Sequence, residues 1–175
     1  MSSLDKSRFL IEPFEKKKHD RSCFDCGESS LNRYLKRQAN QDFQRNVAVP
    51  FVLIEGEQPE IIGFYTLSSF QVKLKKLPSE KRKNLPHYPN VPATLLGRLA
   101  VDKEYQGMGL GEFLLMDALY KSAKQNEKIA SFSVIVDAIN EEARDFYLNF
   151  GFLPLPDRED RLFLPMETIK VACGL

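Results

Sequence analysis

The sequence predicts one α/β domain over residues 1–175, with a mixed central sheet flanked by helices on both faces. Three observations carry this. Segments rich in β-branched and aromatic residues alternate with segments of helical periodicity, the pattern of a layered α/β chain. A strongly apolar strand, ATLLGRLAV, runs into a glycine-rich turn and then an amphipathic helix. The chain has 175 residues, 43% of them apolar and 28% charged, which suffices for one buried core and is too short for two substantial ones.

The elements follow in order. The run RFLIE, residues 8–12, is short and apolar enough for a first strand. Turn chemistry at Cys26 to Ser30 precedes Leu31, Tyr34, Leu35 and Ala39 at helical spacing, giving a helix over about 28–43. VAVPFVLIE (47–55) and IIGFYTLSSFQV (61–72) form a hairpin around GEQPE, with Pro50 marking an edge or bulged position. KLKKLPSEKRKNLPHYPNVP (73–92) reads as a long loop with one helical turn at Ser79 to Lys83, and long ordered loops are often functional. ATLLGRLAV (93–101) is a buried strand. GEFLLMDALYKSAKQ is a helix with a broad apolar face, and SFSVIVDA (131–138) is another strand. Asn140 caps a helix, EEARDFYLNF, that Gly151 ends. The tail RLFLPMETI reads as a last strand.

Formal net charge is +1, so no global field marks a nucleic-acid partner, although cations bunch at Lys16 to Arg21, at Arg33, Lys36 and Arg37, and from Lys73 to Lys83. No apolar run is long enough to span a membrane, and the N-terminal residues lack the continuous apolar core of a secretory signal, which points to a cytoplasmic protein. Cys23 and Cys26 have the spacing of zinc sites and thioredoxin-like motifs. Zinc needs about four ligands, and only Cys173, His19 and His87 remain, none in a second paired motif. The redox motif belongs after a strand in a βαβ unit, whereas FDCGESSL reads as the start of a helix. The pair is expected to be ordinary half-buried thiols, with no metal.

The chemistry sits in LLGRLAVDKEYQGMGLGEFLLMDAL. Gly107, Gly109 and Gly111 lie where the chain enters a helix, so backbone can approach a ligand closely while free amides and the helix dipole favour an anion. A phosphate-bearing ligand is implied. A P-loop needs Gly-Lys-Ser/Thr, but Gly111 is followed by Glu112 and Phe113. A dinucleotide fingerprint needs G-x-G-x-x-G, but the spacing here is G-x-G-x-G.

Gln106-Gly107-Met108-Gly109-Leu110-Gly111 resembles the Q/R-x-x-G-x-G/A loop of the GNAT acetyltransferases, and AINEEARDFYLNFGF resembles the segment that closes their site. The resemblance implies the GNAT fold, acetyl-coenzyme A as acetyl donor, and a loop whose amides hold the pyrophosphate. It implies that backbone at Leu99, Ala100 and Val101 pairs with pantetheine, that Asn140 reaches the pantetheine arm, and that Tyr147 is the catalytic acid. Met108 stands where the family commonly has a basic residue. By resemblance, Tyr147, with an ordinary pKa of about 10, protonates the departing thiolate.

Acetyl transfer needs a neutral amine. A lysine of pKa about 10.4 usually needs a base, whereas an α-amino group at about 7.7–8.0 is already substantially neutral. Many GNAT enzymes carry a glutamate on the central strand, and ATLLGRLAV has no acidic residue. FDCGESSLNRYLKRQANQD (24–42), IIGFYTLSS, residues 85–115 and RLFLPMETI further resemble the TacT-like toxins of bacterial toxin-antitoxin pairs, which acetylate the α-amino group of aminoacyl-tRNA and stop translation. That likeness implies a tRNA-binding basic surface, for which Lys75, Lys76, Lys81, Arg82, Lys83 and Arg98 are the candidates, together with a ribbon-helix-helix antitoxin and a homodimer. Two alternatives share the cofactor residues: an acetyltransferase of a small amine or protein amine, and a non-catalytic acyl-CoA-binding module.

Overall fold

The computed structural model describes residues 4–175. Among them seven strands form one mixed sheet, with hydrogen-bonded neighbours in the order β1-β2-β3-β4-β5-β7-β6. The strands are β1 (Phe9–Pro13), β2 (Val49–Glu55), β3 (Gly63–Lys73), β4 (Asn90–Val101), β5 (Ser133–Asp137), β6 (Leu153–Leu155) and β7 (Arg158–Pro165). The pairs β1·β2, β2·β3, β5·β7 and β6·β7 are antiparallel, and β4·β5 is parallel. The helices are α1 (Ser29–Arg33), α2 (Ala39–Gln44), α3 (Ser79–Arg82), α4 (Leu110–Gln125), α5 (Glu141–Asn149) and α6 (Met166–Ala172).

Two compact units are present. The first combines the chain up to Ser68 with Arg98–Ala118. Its core gathers Phe14, Phe24, Leu31, Tyr34, Leu35, Val52, Ile54 and Phe64. The ring of Phe64 takes Phe24 edge-on at 5.6 Å and Tyr34 stacked at 6.2 Å, both within the range where aromatic pairs attract. Leu31, Tyr34, Leu35 and Ala39 are all buried, as their spacing requires.

The helix they predict is not continuous. Tyr34–Gln38 forms a π turn between α1 and α2, and the Leu35 carbonyl accepts a 2.9 Å hydrogen bond from Nη1 of Arg21. A side chain bonded into the carbonyl ladder accompanies such a break, and it cannot be read from apolar spacing.

The second unit combines Ser69–Gly97 with Leu119–Leu175. Val72, Leu77, Val91, Ala93, Ile135, Leu155 and Phe163 form its core. Two expectations need correction. β2 is an interior strand, paired on both sides; Pro50 sits one residue beyond the end of β1 pairing, where its missing N–H costs no ladder bond on that side. The tail is a strand only to Pro165. Proline has no N–H to extend the ladder, its φ of −59° already suits a helix, and Met166 and Ile169 bury three residues apart as the first turns of α6.

Candidate active site

The first unit carries the glycine loop. β4 ends at Val101, and Asp102 then braces the descent: its Oδ1 accepts from the Glu104 amide at 3.0 Å and its Oδ2 from the Asp25 amide at 3.0 Å. Asp25 accepts from the Gly27 amide and Asn32 Nδ2, both at 2.9 Å, and from Lys103 Nζ at 2.7 Å. Chiefly through Lys103, these donors hold its carboxyl well below the usual carboxylate range.

Nε2 of Gln106 donates to the carbonyls of Val101 at 2.8 Å and Cys26 at 3.0 Å. Gln106, expected among the cofactor residues, is therefore tied to the loop's support by its amide donor.

The other face of the loop is open. Gly107 and Gly109 have φ of +81° and +78°, a left-handed backbone that only glycine adopts without strain. A Cβ placed on Gly107 would meet nothing within 4 Å, and on Gly109 only Nζ of Lys6, at 4.0 Å. The first amide bond into α4 runs from Phe113 to the Gly109 carbonyl at 3.1 Å, and the amides before it have no acceptor within the helix. Leu110 is buried, so its side chain anchors the helix and only its backbone can face a ligand. Met108 and Glu112 are exposed, and Gly111 is half-buried.

Position 108 carries no cation, but one stands near the loop. Lys6 lies over the ring of Phe113, 5.9 Å from its centroid, and has no carboxylate partner among the described residues. Its distance of about a hundred positions along the chain hid it from any local motif. An open face of left-handed glycines, free helix-start amides and an unpaired lysine fit the diphosphate of coenzyme A.

The remaining first-unit candidates lie on β4. Leu99 is half-buried, while Ala100 and Val101 are buried. A Cβ on Gly63 would come within 3.0 Å of the Ala100 carbonyl and 2.9 Å of Leu114, so β3 can lie this close only with glycine there. Arg98 is half-buried, its guanidinium 3.6 Å from the centroid of the Tyr34 ring, whose hydroxyl donates to Asp42 at 2.9 Å.

In the second unit, Asn140 caps α5 and Tyr147 lies within it. Oδ1 of Asn140 accepts from the Ala143 amide at 2.8 Å, the expected cap, which leaves its amide group as the available donor. Asn140, in extended backbone at the cap, is exposed, whereas Tyr147 follows seven residues later inside α5 and is buried. Its ring packs on Phe146 at 5.2 Å and Phe152 at 5.4 Å. Burial raises its hydroxyl above the usual phenol range. Among the described residues that hydroxyl has no hydrogen-bond partner, so it is a neutral donor with its proton uncommitted.

The basic segment is less uniform than its sequence suggests. Lys76 pairs with Asp157 at 2.6 Å, whereas Lys75, Lys81, Arg82 and Lys83 form no ion pair among the described residues. His19, one conceivable metal ligand, is buried with Nδ1 accepting from the Glu15 amide at 2.9 Å and Nε2 2.7 Å from Glu12. Cys23 is exposed, and burial raises the half-buried Cys26 thiol. Among the described residues no helix is long and apolar enough to cross a membrane.

Residues 15–152 match the family model described as the acetyltransferase (GNAT) family. The chain belongs to that family. This GNAT chain is 29% identical to a protein named probable toxin TacT from Sinorhizobium fredii, over 99% of its own length and 100% of the relative's. It is 35% identical to a tRNA-acetylating toxin of Mycobacterium tuberculosis, over 89% and 91% of the two chains. Among solved structures, AtaT in complex with acetyl-methionyl-tRNAfMet superposes with a TM-score of 0.87 at 31% identity, covering 94% of this chain and 99% of that one. A tyrosine-to-phenylalanine mutant of AtaT, bound to the C-terminus of the antitoxin AtaR and acetyl-CoA, gives a TM-score of 0.82 at 26% identity over 96% and 99%.

Proposed function

We propose that this GNAT acetyltransferase moves an acetyl group from acetyl-coenzyme A to the α-amino group of an aminoacyl-tRNA, and so acts as a translation-blocking toxin in the cytoplasm. The open glycine loop at the start of α4, flanked by Lys6, is the observation that carries the donor assignment. The acceptor assignment rests on likeness to the tRNA-acetylating toxin and to AtaT. It agrees with a β4 that presents no carboxylate base, since a low-pKa amine needs none. A ribbon-helix-helix antitoxin is the matching partner by resemblance, in line with the neighbour AtaT, which is bound to the C-terminus of its antitoxin AtaR.

In this reading the amides of Gly107, Gly109 and Gly111, with Lys6, hold the diphosphate. Backbone groups of Leu99, Ala100 and Val101 and the amide of Asn140 orient the pantetheine arm. When bound, acetyl-coenzyme A supplies an activated thioester. The neutral amine forms the new C–N bond as the C–S bond breaks. Tyr147 gives its proton to the departing sulfur, the amine releases a proton to solvent, and solvent returns one to Tyr147 to complete the turnover. Its buried environment keeps Tyr147 protonated at neutral pH, as a donor requires.

Incubating the chain with labelled acetyl-CoA and a pool of charged and uncharged tRNA tests the acceptor. Label should appear only on charged tRNA and be released by mild alkaline hydrolysis of the aminoacyl ester. Labelling of free polyamines or peptides with none on charged tRNA would overturn the assignment. Neutralising Lys75, Lys81, Arg82 and Lys83 together should weaken tRNA binding and flatten its salt dependence, with acetyl-CoA affinity unchanged.

A further inference from the structure

The chain between β3 and β4 does more than carry charge: it borders an open surface cavity of about 820 Å³ within the second unit. Lys73, Lys75, Arg82, Lys83, His87 and Tyr88 line it. No carboxylate does, and Glu80, the acid of α3, is not among the lining residues. The four cations form no ion pair among the described residues, in contrast to Lys18, Lys76, Lys103 and Lys124, each of which has a carboxylate within 4.0 Å. Positive charges left unpaired around one opening point to an anionic ligand.

The second feature is Tyr88. It is 68% exposed, an unusual state for a large aromatic side chain. Pro86 and Pro89 flank the His87-Tyr88 pair, and each fixes its own φ, so the ring stands on a stiffened backbone. A solvent-facing ring beside cations without carboxylate partners is the pairing that binds single-stranded nucleic acid, with a base on the ring and phosphates on the cations. A duplex offers no unstacked base face to such a ring, and an acidic peptide would leave the ring unused.

We propose that this cavity receives one unpaired nucleotide from the single-stranded acceptor end of the RNA, its base stacked on Tyr88 and the adjoining phosphates held by Lys73, Lys75, Arg82 and Lys83. The proposal rests on the reading that charged tRNA is the acceptor. The site itself can be tested without that reading.

The full chain is titrated against a fluorescent single-stranded RNA ending in CCA, against a blunt RNA duplex of equal charge, and against polyglutamate. Tyr88→Ala should weaken single-strand binding by about 5- to 150-fold and Tyr88→Phe should restore it. The salt slope should stay unchanged in Tyr88→Ala and should fall by about 0.7 for each phosphate contact removed in Arg82→Gln/Lys83→Gln. Equal single-strand affinity in Tyr88→Ala, equal losses on duplex and single strand, or a loss confined to polyglutamate would each overturn the site. If wild type binds the single strand through Tyr88 but labels no charged tRNA, the site stands and the acceptor reading fails. If charged tRNA is acetylated with the same KM by wild type and Tyr88→Ala, the acceptor reading stands and this site fails.

Discussion

Tyr147→Phe separates catalysis from architecture because of how the residue is held. The ring is buried against Phe146 and Phe152, and phenylalanine keeps both contacts. Among the described residues the hydroxyl bonds to nothing, so its removal orphans no partner, and the change in folding stability should stay within about 0.5 kcal/mol. Acetyl-CoA affinity should likewise hold, since the proposed diphosphate contacts lie on the glycine loop. Turnover should fall by about 10²- to 10⁴-fold, the usual scale for a general acid and equivalent to about 2.7–5.5 kcal/mol of barrier. The assay is free thiol release with a saturating amine acceptor, run beside a thermal melt and calorimetry with acetyl-CoA. Wild-type turnover in a folded, acetyl-CoA-binding variant would refute the acid role. A melting point lowered by more than about 5 °C would show the hydroxyl to be structural.

Gly109→Val places a β-branched side chain at φ +78°, at a strain of roughly 1–2 kcal/mol, and over the open face of the loop. Acetyl-CoA affinity measured by calorimetry should drop at least tenfold, while Gly56→Ala, at φ +58° with open space around it, should carry backbone strain and leave affinity unchanged. Lys6→Gln should raise the acetyl-CoA dissociation constant by about two- to fivefold at low salt, a difference that disappears at high salt, with no effect on S-acetylpantetheine, which lacks the diphosphate. A pH series of denaturant melts should show stability lost above about pH 10. Burial raises the Tyr34, Tyr65 and Tyr147 hydroxyls, so the folded chain keeps protons that the unfolded chain releases, and each group removes about 1.4 kcal/mol per pH unit until its folded form ionises. A flat profile between pH 8 and pH 11 would contradict that ionisation pattern.

What the sequence made legible is what chemistry imposes locally. Three glycines between an apolar strand and an amphipathic helix leave few folded arrangements, and the loop appears where that pattern put it. Asn140 caps α5 because a helix start needs an acceptor there. The features that escaped depend on partners far apart in the chain. The π turn accompanies Arg21 reaching the Leu35 carbonyl, and the fate of Gln106 depends on the Cys26 carbonyl 80 positions away. Lys6 belongs to the loop only because the fold brings the chain's beginning there. The basic stretch from Lys73 to Lys83 illustrates the same division inside one segment. Charge density marks the stretch as a candidate binding surface, but only tertiary contact separates Lys76, spent on Asp157, from Lys75, Arg82 and Lys83, which have no carboxylate partner among the described residues. Substitutions in this segment should therefore not act as interchangeable units of charge. Losing Lys76 removes an intramolecular pair worth at most about 1 kcal/mol, whereas losing Arg82 or Lys83 removes a cation that is free to meet phosphate.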